Sequence, residues 1–267
     1  MAYSKIYASG IYPIVCNIPH DSTIIPKQFK EDFSIDNNEL KAEAFELADL
    51  HTKDLFEPLL KKYNGIVSKI SRLVVDIERF DNDNLETMSS VGMGVLYEKS
   101  TKGKSIRKLS RARKNQLLHS VYYPYHQNLE TLADICLKKF GKCLIIDCHS
   151  FPEIARTYEP DQSKRNHDIC LGSNHFHTPK IIFDTFKDNF KKGGFKVKQN
   201  IPFSGTIVPA KYFNKNKNVY SIMIEVNRKL YMDENNFYKK PGFNDISSKI
   251  CHNINRSVED FLKLKLI

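Results

Sequence analysis

The sequence lacks long apolar runs and closely spaced cysteine pairs. No stretch approaches the roughly 20 consecutive apolar residues that cross a bilayer. The first residues, MAYSKIYASGIYP, show no basic segment followed by an apolar one, as a secretory signal would. The six cysteines include no CxxC pair, and most lie within apolar stretches. We therefore expect a cytoplasmic protein with buried, reduced thiols, no membrane contact and no cysteine zinc site.

Glycine and proline are also sparse, with 11 of each among 267 residues. Hydrophobic residues make up 41% of the chain and aromatic residues 11%, and this composition excludes fibrous and disordered proteins. A chain of this length can bury one substantial core. We therefore expect a single domain over residues 1–267.

The charge is unbalanced, since 41 basic residues against 31 acidic ones leave a net charge of +10. The basic residues are spread along the chain, and only the run from Lys102 to Lys114 is dense. Such a run is usually a solvated loop or helix face, and it would suit a small anionic substrate as well as a phosphate backbone. Nucleic-acid binding is therefore not the favoured interpretation, and the oligomeric state is left open.

One apolar stretch ends abruptly in polar residues. The segment 143–146 (CLII) runs directly into Asp147, Cys148, His149 and Ser150, a pattern typical of a buried parallel strand with polar side chains at its carboxyl end. A helical pattern ending at Gly141 precedes it, which favours an α/β fold with a mixed, largely parallel central sheet flanked by helices. In such sheets ligands bind at the carboxyl edge. The alternative is a core strand whose His149 only satisfies a hydrogen bond.

A second strand-like stretch, from Ile11 to Ile18, is followed by Pro19 and His20. Two predicted strands thus each deliver a histidine to a sheet edge. Because neutral imidazole is a preferred zinc ligand, this coincidence favours a metal site.

The segment from Leu40 to Tyr63 has helical spacing, but Pro58 disfavours one unbroken helix. Asp49 is therefore expected at a junction, where its carboxylate could bind a ligand. The alternative makes Asp49 a helix cap and His51 a surface residue.

Several charged residues follow a third apolar stretch. If residues 73–77 form a strand, Asp76 and Glu78 point to one face. Arg72 or Arg79 could hold a substrate carboxylate with two hydrogen bonds, but an internal ion pair with Asp76 or Glu78 is at least as expected.

Two further residues are candidates for a site. His126 is predicted to start a helix, where it either caps or stacks, or contacts an anionic substrate. Glu225 is an acid within the otherwise apolar strand predicted over Val219–Val226, and a buried acid needs a partner. The last helix is predicted over Asp245–Leu264 with Asp245 as its cap.

Taken together, these segments resemble the N-formylglutamate amidohydrolase family from Pro19 to about Met232. Each matching piece is short, and their shared order and spacing carry the resemblance. The pieces are PH at His20, ADLHTKDLF around Asp49, SRLVVDIER ending at Arg79, GMGVLY, YYPYH at His126, IIDCHS at His149, DICLG from Asp168, PFSGT, and IEVNRKLYM around Glu225.

The resemblance implies a fold similar to the zinc carboxypeptidases, with one catalytic zinc and a water-derived nucleophile. His20 and His149 match the zinc histidines of that wider group, and Glu225 matches its catalytic base. The glutamate ligand near the first histidine has no counterpart here. Asp49 is our candidate for that ligand, with His51 second.

The implied reaction is hydrolysis of a formyl or acyl amide on a small anionic amino acid, with N-formyl-L-glutamate as first choice and histidine degradation as the setting. Zinc would sit on His20, Asp49 and His149. Arg79, with Arg72 or His126, would bind substrate carboxylates or stabilise the oxyanion.

Two departures from the family pattern concern the substrate rather than the metal. Asp21 and Ser22 follow His20 where the family usually has Ser and Gly, and Glu78 stands where an Asn is frequent. Alternative functions are a deacylase or carboxypeptidase for another acidic N-acyl compound or a cell-wall peptide, and a non-catalytic module that binds RNA or an acidic partner through the basic run.

Overall fold

The computed structural model describes residues 3–264, within which seven strands form one sheet in the order β1-β3-β2-β4-β7-β5-β6. The strands are β1 Ser4–Tyr7, β2 Ile14–Ile18, β3 Asn64–Ser68, β4 Cys143–Phe151, β5 Ile169–Gly172, β6 Val197–Gln199 and β7 Val219–Asn227. Four neighbouring pairs are parallel, and the β1–β3 and β5–β7 pairs are antiparallel. The predicted mixed, largely parallel sheet is confirmed.

Helices cover both faces of this sheet. They are α1 Lys27–Lys30, α2 Asn37–Leu47, α3 Thr52–Leu55, α4 Glu57–Leu60, α5 Arg111–Leu117, α6 Tyr123–Phe140, α7 Lys180–Lys192 and α8 Phe243–Lys263. Of the helices between residues 3 and 264, none has both the length and the apolar character that a bilayer-crossing segment needs. All six cysteines are buried and unpaired, as predicted.

Strand β4 separates two hydrophobic cores. Leu144, Ile146 and Cys148 enter the core shared with α7 and α8, whereas Cys143 and Ile145 enter the core shared with α6. This alternation follows from the two-residue period of a strand. Because both faces are covered, all nine residues of β4 are buried, and their carboxyl end is held rigidly at the edge of the sheet.

The predicted strand over residues 73–77 is wrong. These residues form turns, in which the Val74 amide donates to Ser71 and the Asp76 amide donates to Val95. Their apolar side chains are nevertheless buried, and the guanidinium of Arg107 donates to the Val74 carbonyl at 3.0 Å. Burial within a loop therefore produced an apolar pattern that resembles a strand.

Two predicted helix starts are also wrong. α6 begins at Tyr123 rather than His126, after one π-helical turn that connects it to α5. α8 begins at Phe243, and its N-cap is Gly242 with a positive φ of 82° rather than Asp245. Asp245 lies in the first turn, where its negative charge interacts favourably with the positive end of the helix dipole.

The helix break around Asp49 is confirmed. α2 ends at Leu47 and α3 begins at Thr52. The turn is made by His51, whose φ is 67°, while Pro58 lies in the first turn of α4. Asp49 is therefore outside any helix and can direct its carboxylate toward the sheet edge.

Candidate metal centre

His20 follows β2 at the carboxyl edge of the sheet. It is 3% exposed, and its Nε2 lies 2.9 Å from Oδ1 of Asp76. Its Nδ1 is buried and has no hydrogen-bond partner among residues 3–264. A buried imidazole with one nitrogen fixed by a carboxylate and the other free is the arrangement that metal-binding histidines show.

His149 repeats this arrangement near the end of β4. Asp147 and His149 share a face of the strand, and Oδ1 of Asp147 lies 2.9 Å from Nε2 of His149. The Nδ1 of His149 lies 3.1 Å from Oδ2 of Asp49. Both histidines therefore have a carboxylate on Nε2 and direct Nδ1 toward the same region.

Asp49 supplies the third group from the turn between α2 and α3. Its amide donates to the His20 carbonyl at 2.9 Å, which ties this turn to the end of β2. Its Oδ2 lies 3.8 Å from Nδ1 of His20, and its Oδ1 accepts from Nη2 of Arg228 at 3.0 Å.

Donor atoms of His20, Asp49 and His149 all lie within 4.8 Å of one another. Ligand atoms about 2.0–2.1 Å from a tetrahedral zinc ion are roughly 3.3 Å apart. The distances of 3.1 and 3.8 Å from Asp49 lie on either side of that value. Two imidazoles and one carboxylate also match the donor sets of catalytic zinc sites, so these residues fit the ion.

The protonation states of His20 and Asp49 favour the binding of a cation. Burial and the positive charge of Arg72 lower the pKa of His20 to about 4, despite Asp76. Burial opposes the charge on Asp49, but His149 holds the pKa of that carboxyl well below its usual range. His20 is thus neutral and Asp49 ionised, as a metal ligand requires.

The remaining ligand candidate, His149, is protonated when no cation is bound. Burial would lower its pKa, but the negative charges of Asp147 and Glu78 outweigh that effect and raise the pKa well above the usual value. Binding of a metal at Nδ1 must therefore release a proton.

Glu225 lies on β7 beside this cluster. It is 5% exposed, and its Oε2 has no hydrogen-bond partner among the described residues. Burial raises its pKa to about 8, although the charge of His149 opposes the shift. A carboxyl with a free oxygen and a raised pKa is suited to accept and return a proton.

The cluster opens into a cavity of about 550 Å³, a size typical of ligand sites. Three arginines and several apolar side chains complete its wall. The ionisable and apolar side chains that line the cavity include His20, Asp49, His149, Glu225, Arg72, Arg79, Arg228, Glu78, Phe80, Leu85, Met88, Met93 and Phe203.

Arg72 and Arg79 differ in how many of their guanidinium nitrogens already make hydrogen bonds. Arg72 donates to Oδ2 of Asp76 through Nε at 2.9 Å and Nη2 at 2.6 Å, which is the internal ion pair that the sequence offered as an alternative. Arg79 donates to Glu86 through Nη1 at 3.2 Å. Its Nε lies 3.7 Å from Asp76 and has no hydrogen-bond partner within residues 3–264. Arg79 therefore keeps more capacity for an anionic ligand.

His126 and His51 lie apart from the cluster. Nε2 of His126 is 2.9 Å from the Ile77 carbonyl oxygen, and its ring contacts that of Tyr122 with centroids 4.2 Å apart. Nε2 of His51 is 2.9 Å from the Phe237 carbonyl oxygen. Neither histidine lines the cavity.

Sequence reasoning missed the part played by Asp76. Its Oδ1 contacts His20, and its Oδ2 accepts from Tyr97 at 2.7 Å as well as from Arg72. The only signal was the acidic character of DIER at the end of an apolar stretch, because the contact with His20 depends on how two distant loops pack.

A second group of possible ligands adjoins the first. Glu78, Asp147 and His149 also have donor atoms within 4.8 Å of one another. The amide nitrogen of Asn17 donates to Glu78 at 2.7 Å and to Asp147 at 2.8 Å. The two carboxylates are thus already bridged by protein, so this group supports His149 rather than forming another metal site.

Another surface cavity, of about 740 Å³, lies beside β6 and α7, away from the cluster. Its lysines 180 and 187 both pair with Asp184. It holds no buried ionisable group, and we assign it no chemistry.

Comparison with known proteins is consistent with this geometry. Residues 12–232 match the sequence model of the N-formylglutamate amidohydrolase family. The solved N-formylglutamate amidohydrolase of Ralstonia eutropha is similar with a TM-score of 0.84 and 21% identity, over 97% of this chain and 98% of that one. A gene product of Agrobacterium tumefaciens is similar with a TM-score of 0.72 and 15% identity, over 98% and 97%. No curated protein matches the chain in sequence.

Proposed function

The chain belongs to the N-formylglutamate amidohydrolase family, and we propose that it is a zinc-dependent hydrolase that cleaves the N-formyl or N-acyl amide of an acidic amino acid. N-formyl-L-glutamate, which would yield formate and L-glutamate, is the first-choice substrate. The observation that carries the proposal is the convergence of His20, Asp49 and His149 beside Glu225 in one cavity.

His20 and His149 would hold the ion through Nδ1, and Asp49 through Oδ2, because these atoms face one another. Zinc, when bound, supplies a Lewis acid that polarises the amide carbonyl and brings the pKa of a coordinated water to about 7. Asp76 and Asp147 would orient the two imidazoles through Nε2.

Glu225 would act as the general base. Its free Oε2 accepts a proton from the attacking water and passes that proton to the departing amine nitrogen. The amine otherwise leaves poorly because it would depart as an anion. The raised pKa of this carboxyl supports its second task, the donation of the proton.

Substrate carboxylates would be bound by Arg79 first. Arg79 retains a nitrogen without a hydrogen-bond partner among the described residues, and a guanidinium binds a carboxylate with geometric specificity. Arg72 lines the same cavity but is engaged with Asp76. His126 is the least supported of the three, since it does not line the cavity.

The size of the cavity favours a second candidate within the same class. A volume of about 550 Å³ exceeds the need of a substrate as small as formylglutamate, because cavities of about 300–1,000 Å³ hold drug-sized ligands. Another acidic N-acyl amino acid or a peptide is therefore the alternative substrate.

The binding-module alternative is less well supported, because four of the seven basic side chains in the run from Lys102 to Lys114 are either buried or paired with acids. Arg107 is buried, and three other basic side chains pair with acids. The pairs are Lys104–Glu39, Arg113–Asp32 and Lys114–Glu98. We propose no nucleic-acid partner. A single domain over residues 1–267, a cytoplasmic location and a setting in histidine degradation complete the proposal.

The test measures metal content together with formate release from N-formyl-L-glutamate, with and without a chelator. We expect about one zinc per chain and formate release that the chelator abolishes and added zinc restores. Zinc without formate release would redirect the search to other N-acyl substrates. If the protein contains no zinc and hydrolyses none of these substrates, the proposal is overturned.

A further inference from the structure

Arg228 lies at the start of the turn that follows β7, and it is buried against the candidate metal centre. Its Nη2 donates to Oδ1 of Asp49 at 3.0 Å, and its Nε donates to Oγ of Ser150 at 3.2 Å. Among residues 3–264, Asp49 is the one acid within ion-pair distance of this guanidinium. The guanidinium is thus hydrogen-bonded both to Ser150 on β4 and to Asp49 in the turn between α2 and α3.

The two carboxylate oxygens of Asp49 face different partners. Oδ1 faces Arg228, whereas Oδ2 faces Nδ1 of His149 at 3.1 Å and Nδ1 of His20 at 3.8 Å. The Ser150 amide also lies 3.4 Å from Oδ2. A guanidinium does not lose its protons in proteins, so the oxygen it holds remains directed away from the two imidazoles.

We propose that Arg228 is a positioning residue that restricts Asp49 to binding a metal through one oxygen. The inference rests on the proposed function and deepens it. A carboxylate that bound through both oxygens would occupy a second coordination position. Because Arg228 holds Oδ1, a metal bound by His20, Asp49 and His149 would have three protein ligands and one position left open, as catalytic zinc sites require.

A spectroscopic test separates this role from a contribution to folding. Cobalt(II) would replace zinc in the native protein and in Arg228→Gln, because cobalt absorbs visible light more strongly with four ligands than with five or six. We expect weaker absorption in Arg228→Gln, since Oδ1 is then free to join the coordination. We also expect kcat to fall about 10- to 100-fold, the usual effect of removing an outer partner of a ligand, with KM little changed.

Arg165→Gln is the matched control. Arg165 is as buried as Arg228 and pairs with Glu159 rather than with Asp49. Its loss should lower Tm but leave the cobalt spectrum unchanged. Arg228→Lys keeps a positive charge beside Oδ1 and should restore part of the native spectrum and rate. Arg228→Lys also provides the test if Arg228→Gln does not fold, because the lysine keeps the buried charge of Asp49 paired. In that case we expect the cobalt absorption of Arg228→Lys to be weaker than that of the native protein, as for five ligands, and its kcat to be lower.

The native protein distinguishes the two levels of inference. If it takes up no cobalt or zinc, both the proposed metal site and the role of Arg228 are refuted. If it binds cobalt and every folded Arg228 variant keeps the native spectrum and kcat, only the positioning role is refuted.

Discussion

His149 and Glu225 occupy directly paired positions on β4 and β7. Neighbouring strands are about 4.8 Å apart, and paired residues project to the same side of a sheet. Both strands are nine residues long and buried throughout. The ligand candidate and the base candidate are therefore held side by side on two buried, hydrogen-bonded strands, and a substitution at one should leave the backbone of the other in place.

Glu225→Gln should abolish most activity without loss of metal. The amide keeps the size of the side chain but cannot accept the water's proton, so we expect kcat to fall roughly two or more decades. Zinc content should stay near the native value, because Glu225 is not among the clustered donors. Turnover close to native would remove Glu225 from the mechanism.

The positions that sequence patterns predicted correctly are those at strand ends. His149 and His20 follow apolar stretches that form buried strands, and parallel strands bring their carboxyl ends to one edge. Asp49 was placed at a junction because an unbroken helix was disfavoured. For the two histidines, local periodicity determines where the side chain lies, whereas the break at Asp49 is made by the turn at His51 and not by Pro58, which lies in the first turn of α4.

Asp76 and Arg228 show what local periodicity does not determine. Asp76 belongs to a buried loop whose β-branched residues resemble a strand, and it meets His20 only because that loop packs beside β2. Arg228 contacts Asp49 from 179 residues away along the chain. Such pairings follow from tertiary packing and burial of charge, which the order of residue types does not encode locally.

His149→Ala should prevent stable metal binding. The variant leaves only His20 and Asp49 in the cluster, and two ligands are too few for a catalytic zinc site. Metal content after dialysis is the measurement. His51→Ala is the control, because His51 contacts Phe237 and not the cluster, and it should retain zinc. Stoichiometric zinc in His149→Ala would refute its assignment as a ligand.

Arg79→Met should weaken substrate binding more than it weakens folding. A hydrogen bond to a charged group contributes about 1.5–3 kcal/mol, so KM for N-formyl-L-glutamate should rise about 10- to 100-fold. Arg72→Met provides the contrast, because it leaves Asp76 buried without its closest cation. Breaking such a pair costs about 3–5 kcal/mol of stability. Unchanged KM in Arg79→Met would assign the carboxylate site elsewhere.

The pKa of Glu225 predicts how stability depends on pH in the metal-free protein. Burial raises that pKa from 4.5 to about 8 in the folded state. Folding therefore favours the protonated carboxyl. Its contribution to stability is complete below pH 4.5 and is lost as pH rises through about 8.

Glu225→Gln has no charge at this position, so it should escape this loss. Denaturant unfolding of both proteins in chelator should give a stability advantage of the variant that grows between pH 5 and 8 and then levels off, at roughly a few kcal/mol. The other titrating groups are common to both proteins, so the difference reports on Glu225. An advantage that stays constant across this range would show that Glu225 is already ionised at pH 5 in the metal-free protein, and that burial does not raise its pKa to about 8.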